Sequence, residues 1–321
     1  MTKLAREGRI ALWVFAGVLA MSLLLFVVWR FGQASSPATA LALKASRVDL
    51  VGQMQVALAS AAEAEKSAVL ATTDEASASF ADRARAAAAE LERQRVELGK
   101  LLVAGGTPRE RELLEQLSAS LGQLRQVDEQ VLALAVKNTN LKAFALAFGT
   151  AEDRRERAGD TAKAVLEELD GALLQAAQRH AGGPHAGQVQ RLADRVRIGT
   201  LRVQALLAPH IAEERDQRMD HLEAVMAGEL GQARAALAEL VKLVGAAEVA
   251  PAMARLDRYL ELQRRVLALS RENTNVKSLA LSLGQKRAVQ AVCQETLAAL
   301  QQAILEEPIS GISYGRTSPT R

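Results

Sequence analysis

An all-α fold is predicted for this chain by three features of its 321 residues. Aromatic side chains make up only 3 % of the total, whereas strands are enriched in aromatic and β-branched residues. Alanine and leucine dominate, accompanied by Arg, Gln and Glu, the best helix formers. The seven prolines fall mostly between periodic segments, where they punctuate without breaking.

The first predicted element is a transmembrane helix. Residues 1–9 read as a cytoplasmic tail and residues 10–31 as the anchor, because Ile10 to Val28 (IALWVFAGVLAMSLLLFVV) carries no charge and is long enough to cross a bilayer. Trp13 and Trp29 sit near its ends, where amphipathic rings favour the headgroup level. Lys3, Arg6 and Arg9 place the N-terminus inside. The protein is then expected in the inner membrane, crossing it once, with most of the chain extracytoplasmic and no second stretch apolar enough to span. A cleaved signal peptide is the alternative, since Ala38-Thr39-Ala40 and Ala40-Leu41-Ala42 resemble cleavage sites.

The same segment explains the net charge of +3. Of the 40 basic and 37 acidic residues, four and one fall in residues 1–30, which leaves 36 of each beyond. That neutral remainder has no basic block and no interleaved aromatics, so nucleic-acid binding is not expected. The single cysteine, Cys293, excludes an internal disulfide, and its helical setting suggests an inert, partly buried thiol.

Next comes an internal repeat. VLALAVKNTNLKAFALAFG, Val131 to Gly149, returns as VLALSRENTNVKSLALSLG, Val266 to Gly284, with eleven identities in nineteen positions at an offset of 135. Upstream, Leu98 to Leu102 resembles Leu240 to Val244 at an offset of 142. The offsets differ by one heptad, which a long helix absorbs without rotating its apolar face. Breaks are expected at Ala71–Asp74, Gly105–Pro108, Gly149–Asp153, Gly182–Pro184, after Pro209, at Ala246–Pro251 and at Pro308, with Gly284 equivalent to Gly149. The predicted architecture is therefore two tandem antiparallel four-helix bundles over 36–181 and 185–307, followed by a flexible tail over 308–321. One longer bundle with unbroken helices is the competing arrangement.

Seven-residue spacing continues through the repeated Asn-Thr-Asn: Val127, Leu134, Leu141 and Phe148 in one copy, Leu262, Leu269, Val276 and Leu283 in the other. The helix is thus expected to run straight through, with Asn138 and Asn273 in the apolar seam. There a buried amide sacrifices stability and specifies register. Thr139, Asn140, Thr274 and Asn275 fall beside the seam. These six residues form polar layers that either control register or line a ligand site.

Searching for chemistry yields no catalytic, metal or cofactor site. His180, His185, His210 and His221 have no acidic or cysteine partner at ligand spacing. Glu63, Glu65, Glu213 and Glu214 are expected to be solvated. No phosphate loop or nucleophile elbow occurs.

The apolar N-terminal helix leading into Ala/Leu-rich helices, with LALSRENTNVKSLALSLGQKR, resembles the four-helix-bundle sensory domain of bacterial methyl-accepting chemotaxis receptors. The resemblance is clearest over 185–307. It implies a periplasmic homodimer that senses small molecules and acts with a signalling-protein partner. The chain departs from such receptors in showing no second membrane helix and no methylated cytoplasmic hairpin. The expected function is an anchored extracytoplasmic sensory or binding module with no signalling domain of its own. The alternative is a structural spacer or adaptor in the envelope that binds proteins and no small molecule.

Overall fold

A computed structural model describes Met21, residues 37–149 and residues 161–308. Nearly all of the tail, the anchor read over 10–31, residues 1–9 and the capping signal at Thr150–Asp153 lie outside the described residues. Those described are helical or in turns, with no strand among them. The chain is all-α. In order the helices are α1 (Pro37–Leu70), α2 (Asp74–Gly105), α3 (Pro108–Ala135), α4 (Thr139–Phe148), α5 (Ala162–Arg179), α6 (Ala186–Ala212), α7 (Asp216–Val244), α8 (Ala246–Glu272), α9 (Thr274–Leu281), a π-helical turn (Ser282–Lys286) and α10 (Arg287–Glu306).

Two compact units form, each discontinuous in sequence. The first draws its described residues chiefly from 37–56, Glu90–Ser118 and 294–308. Val51 and Met54 of α1, Leu98 and Leu102 of α2, Leu113 and Leu117 of α3, and Leu297, Leu300 and Ile304 of α10 are buried in it. Their three- and four-residue spacing gives each helix one apolar stripe. The Gly105–Pro108 break closes with a capping box: Thr107 Oγ1 accepts from the Glu110 amide at 3.2 Å, and Glu110 accepts from the Thr107 amide at 3.0 Å. The buried Glu110 carboxylate also pairs with Arg47 at 2.8 Å, and Arg47 reaches Glu307 at 2.5 Å. Lys44 Nζ donates to the carbonyls of Leu305 and Glu307 at 2.7 and 2.6 Å, satisfying groups that the end of α10 leaves open.

The second unit comprises Ala57–Ala89 and Ala119–Cys293. Its main apolar cluster joins α4 through α8: Ala143 and Ala147 of α4 pack with Leu169 and Leu173, Val203 and Leu207, Met226 and Leu240, and Tyr259 and Leu262. Gly199 makes room there. A side chain on it would meet the Glu229 carbonyl at 3.2 Å, so α6 and α7 approach closely. A smaller cluster sets Val69 of α1 and Val127, Val131 and Ala135 of α3 against Leu281 of α9.

The turn expected after Pro209 falls at Glu213–Arg215, between α6 and α7. Two boundaries differ from expectation. Gly245 alone, at φ 93°, separates α7 from α8, and Pro251 lies inside α8. Gly284 does not stop its helix as Gly149 does; the chain inserts a π turn and carries on into α10.

Among the described residues, Pro108–Phe148, counted across its internal break, is long and apolar enough to cross a membrane, with mean hydropathy 1.3 in its best window. The sequence pattern predicts no second such stretch beyond the N-terminal one. Its apolar residues Val127, Val131, Ala143 and Ala147 belong to the clusters above, as expected when a core helix passes a composition test.

Candidate functional site

The helices do not run through Asn-Thr-Asn. α3 ends at Ala135 and α4 begins at Thr139; α8 ends at Glu272 and α9 begins at Thr274. Asn138 (φ 50°, ψ 38°) and Asn273 (φ 53°, ψ 40°) adopt left-handed conformations, the only non-glycine residues with positive φ among those described. Asparagine suits the position because its short polar side chain tolerates this region better than most. Both breaks are finished alike. The Lys142 amide donates to the Asn138 carbonyl, and the Lys277 amide to that of Asn273, each at 3.0 Å. Lys142 Nζ then covers the Lys137 carbonyl at 2.8 Å, and Lys277 Nζ that of Glu272 at 2.9 Å.

The two breaks face each other and cap each other's helices. The Thr139 amide donates to Thr274 Oγ1 at 3.1 Å, and the Thr274 amide to Thr139 Oγ1 at 3.2 Å. The hydroxyl oxygens lie 3.1 Å apart. The Asn140 amide donates to Asn275 Oδ1, and the Asn275 amide to Asn140 Oδ1, at 3.1 and 3.2 Å. Neither α4 nor α9 has a side-chain cap from its own N-cap residue. Its partner supplies what the first turn of a helix needs.

Outer bonds tie this pair to its surroundings. Asn140 Nδ2 donates to the Ile211 carbonyl and to Asn273 Oδ1, at 2.6 and 2.7 Å. Asn273 Nδ2 donates to the Glu213 carbonyl, Asn275 Nδ2 to Asn138 Oδ1, and Asn138 Nδ2 to Asp74 Oδ1, at 2.8, 2.9 and 3.0 Å. Lys142, and then Asn138, hold the Asp74 carboxyl below the usual range. Asn275 is half-buried and the other five residues are buried. No buried side-chain atom of the six is without a partner. The arrangement can fix register tightly and offers a ligand little.

It also marks a crossing of the chain. α4, continuing from α3, packs with α5 through α8, whereas α9 and the π turn, continuing from α8, pack against α1 and α3.

Two further polar centres lay beyond sequence reading. His210, fully buried in the last turn of α6, contacts Ser270 Oγ through Nδ1 at 2.8 Å and Glu223 through Nε2 at 2.9 Å. Ser270 donates to the His210 carbonyl at 3.1 Å. Arg271, and secondarily His210, hold the Glu223 carboxyl below its ordinary range. The order Ser–His–Glu has the form of a hydrolytic relay, but a fully buried Ser270 gives a substrate carbonyl no approach. Its product is cohesion of α6, α7 and α8. His180 lies at the C-cap of α5 and His185 before α6, while His221 is exposed. Among the described residues no group of three or more His, Cys, Asp or Glu is placed to hold a metal.

The second centre corrects an expectation. Glu65 is not solvated but 1 % exposed, because Lys286 in the π turn reaches it at 2.5 Å. Lys286 also lies 3.4 Å from Asp128. Burial, and the neighbouring Glu65 charge, push the Asp128 carboxyl above its ordinary range. Two carboxylates thus share one ammonium. Cys293 is buried, which pushes its thiol up and makes it a poor nucleophile.

The described residues also form a cavity of about 470 Å³ between the end of α4, α5 and α6. Phe148, Leu166, Leu169, Leu201 and Gln204 line it. At its rim Arg197 pairs with Asp170 and, at 3.0 Å, with Asp194. Comparison of the chain with protein-family models, curated proteins and solved structures finds no match.

Proposed function

We propose that this protein is a membrane-anchored, extracytoplasmic sensory or binding module built from two helical units, each drawing helices from both sequence copies. The cavity between α4, α5 and α6 carries the reading. Pockets for small molecules often lie between helices of bundles and combine an apolar surface with polar groups. This cavity lies in such a place, with Phe148, Leu166, Leu169 and Leu201 as its apolar part and Lys163, Glu167, Asp170, Arg197, Thr200 and Gln204 as its polar groups. The crossing at Asn-Thr-Asn lies at the opposite end of α4 from it, so a ligand there would load a helix tied to both copies. The resemblance to chemoreceptor sensory domains agrees with this reading.

The test is a thermal-shift screen of the full chain in detergent against small amino acids, organic acids, amines and aromatic alcohols. A ligand that binds only the folded state at ~100 times its Kd adds about 2.7 kcal/mol. One class should raise the melting temperature, and Leu166→Trp, which fills the cavity, should abolish that rise. A screen with no response, or a response that survives Leu166→Trp, removes the cavity from the account. An envelope spacer or adaptor is the second reading, and the closed hydrogen bonding of the six Asn and Thr residues favours it.

A further inference from the structure

We infer that one end of the first unit rests on the lipid surface, through the start of α1, the α2–α3 turn and the end of α10. This rests on the anchor reading and adds which residues meet the membrane. Three chain segments come together there. Lys44 holds the Leu305 and Glu307 carbonyls, while Arg47 joins Glu110, at the start of α3, to Glu307.

Large apolar side chains stand exposed at this end from all three. Val103 in the last turn of α2 is 80 % exposed, Leu305 in the last turn of α10 57 %, and Leu41 in the second turn of α1 51 %. Leu43 is exposed beside them. The turn itself, Leu101 to Pro108 (LLVAGGTP), holds eight consecutive uncharged residues. Of the nearby charges, Arg47 pairs with Glu110 and Glu307 and Arg109 with Glu112 at 2.8 Å, while Lys44 donates to backbone carbonyls. An uncharged, apolar tip with charges set behind it suits the boundary between headgroups and acyl chains better than open water.

Chain length requires the proximity. The apolar run closes at Trp29-Arg30, and only Phe31 to Ser36 separate it from Pro37. Six residues span at most about 20 Å when fully extended. The start of α1 must stay within that reach of the membrane, and the Leu305 carbonyl, held by Lys44 seven residues along α1, within roughly 10 Å more at helical rise. Since the Leu101 to Pro108 tip itself carries no charge, contact should not require anionic lipid.

The test uses the full chain reconstituted in phosphatidylcholine vesicles, with Cys293→Ser as background. Single nitroxide labels are placed at Val103→Cys, Leu305→Cys and Val56→Cys. Val56 is also exposed, but it lies nineteen residues along α1 from Pro37, roughly 29 Å at helical rise. Collision with lipid-soluble oxygen relative to a water-soluble nickel chelate should be several-fold higher at positions 103 and 305 than at 56, and unchanged with phosphatidylglycerol. Flotation of the same samples reads the anchor separately. Vesicle-bound protein with all three labels equally water-exposed would overturn the contact and leave the anchor standing. Protein that fails to float would overturn both.

Discussion

Replacing Lys286 with Met is expected to destabilise the protein by about 3–5 kcal/mol, the range for removing one partner of a buried ion pair. Lys286 is the shared cation of Glu65 and Asp128 and is itself buried. Without it two carboxylates face each other with no counter-charge, and desolvation works against both. The effect carries a pH signature. Because the Asp128 pKa is raised in the folded state, the folded protein holds more protons than the unfolded one. Its contribution is therefore most favourable below the unfolded carboxylate value of about 3.9 and is lost as pH rises through the higher folded value. Lys286→Met should deepen that slope, so its cost is largest near neutrality and shrinks in acid. Adding Glu65→Leu and Asp128→Asn should restore much of the loss, since removing a whole buried charge group is often neutral. Denaturant melts of the single and triple variants across pH read this directly. A pH-independent loss below ~1 kcal/mol would show that the three groups are solvated.

Asn138→Leu and Asn273→Leu should each cost about 2–5 kcal/mol. Two effects add. A leucine held left-handed costs about 1–2 kcal/mol, and the stranded partners add about 1–3 kcal/mol. These partners are Asp74 and Asn275 for the first, and Asn140 and the Glu213 carbonyl for the second. Glycine separates the terms, because it keeps the backbone conformation and loses only the side-chain bonds. Asn→Gly at either position should therefore be milder than Asn→Leu by about the strain energy. The two positions should respond in the same direction, as their matched dihedrals require. Leucine raising the melting temperature would instead indicate a continuous helix with the amide in an apolar seam.

These two centres differ in how far the sequence discloses them. The repeat, the helical composition and the breaks at Ala71–Asp74, Gly105–Pro108 and Gly182–Pro184 are legible because each is local. A turn shows as Gly, Pro or a capping hydroxyl within a few residues. The break at Asn138 is also local, yet the apolar heptad passes through it undisturbed. One left-handed residue redirects the helix without altering the seven-residue count, so periodicity alone reports a straight rod. Repetition of Asn-Thr-Asn singles out six residues that the fold brings together. That they would cap each other required knowing that positions 135 apart meet. Glu65 remained hidden for the same reason. On its own helix it resembles Glu63, and the lysine that buries it lies 221 residues away. His210 likewise finds Glu223 on the following helix, at a separation no ligand spacing would suggest.

The central claim, that the two Asn-Thr-Asn segments meet as mutual caps, is tested most directly by a thiol pair. Thr139→Cys and Thr274→Cys in a Cys293→Ser background replace two hydroxyls 3.1 Å apart, from which two sulfurs need approach by only about 1 Å to reach the bond length of a disulfide. Mild oxidation of the full chain should join them within one molecule, closing a 135-residue separation that mass analysis and a non-reducing gel both detect. Thiols that stay free after oxidation, or that link only between molecules, would contradict the account.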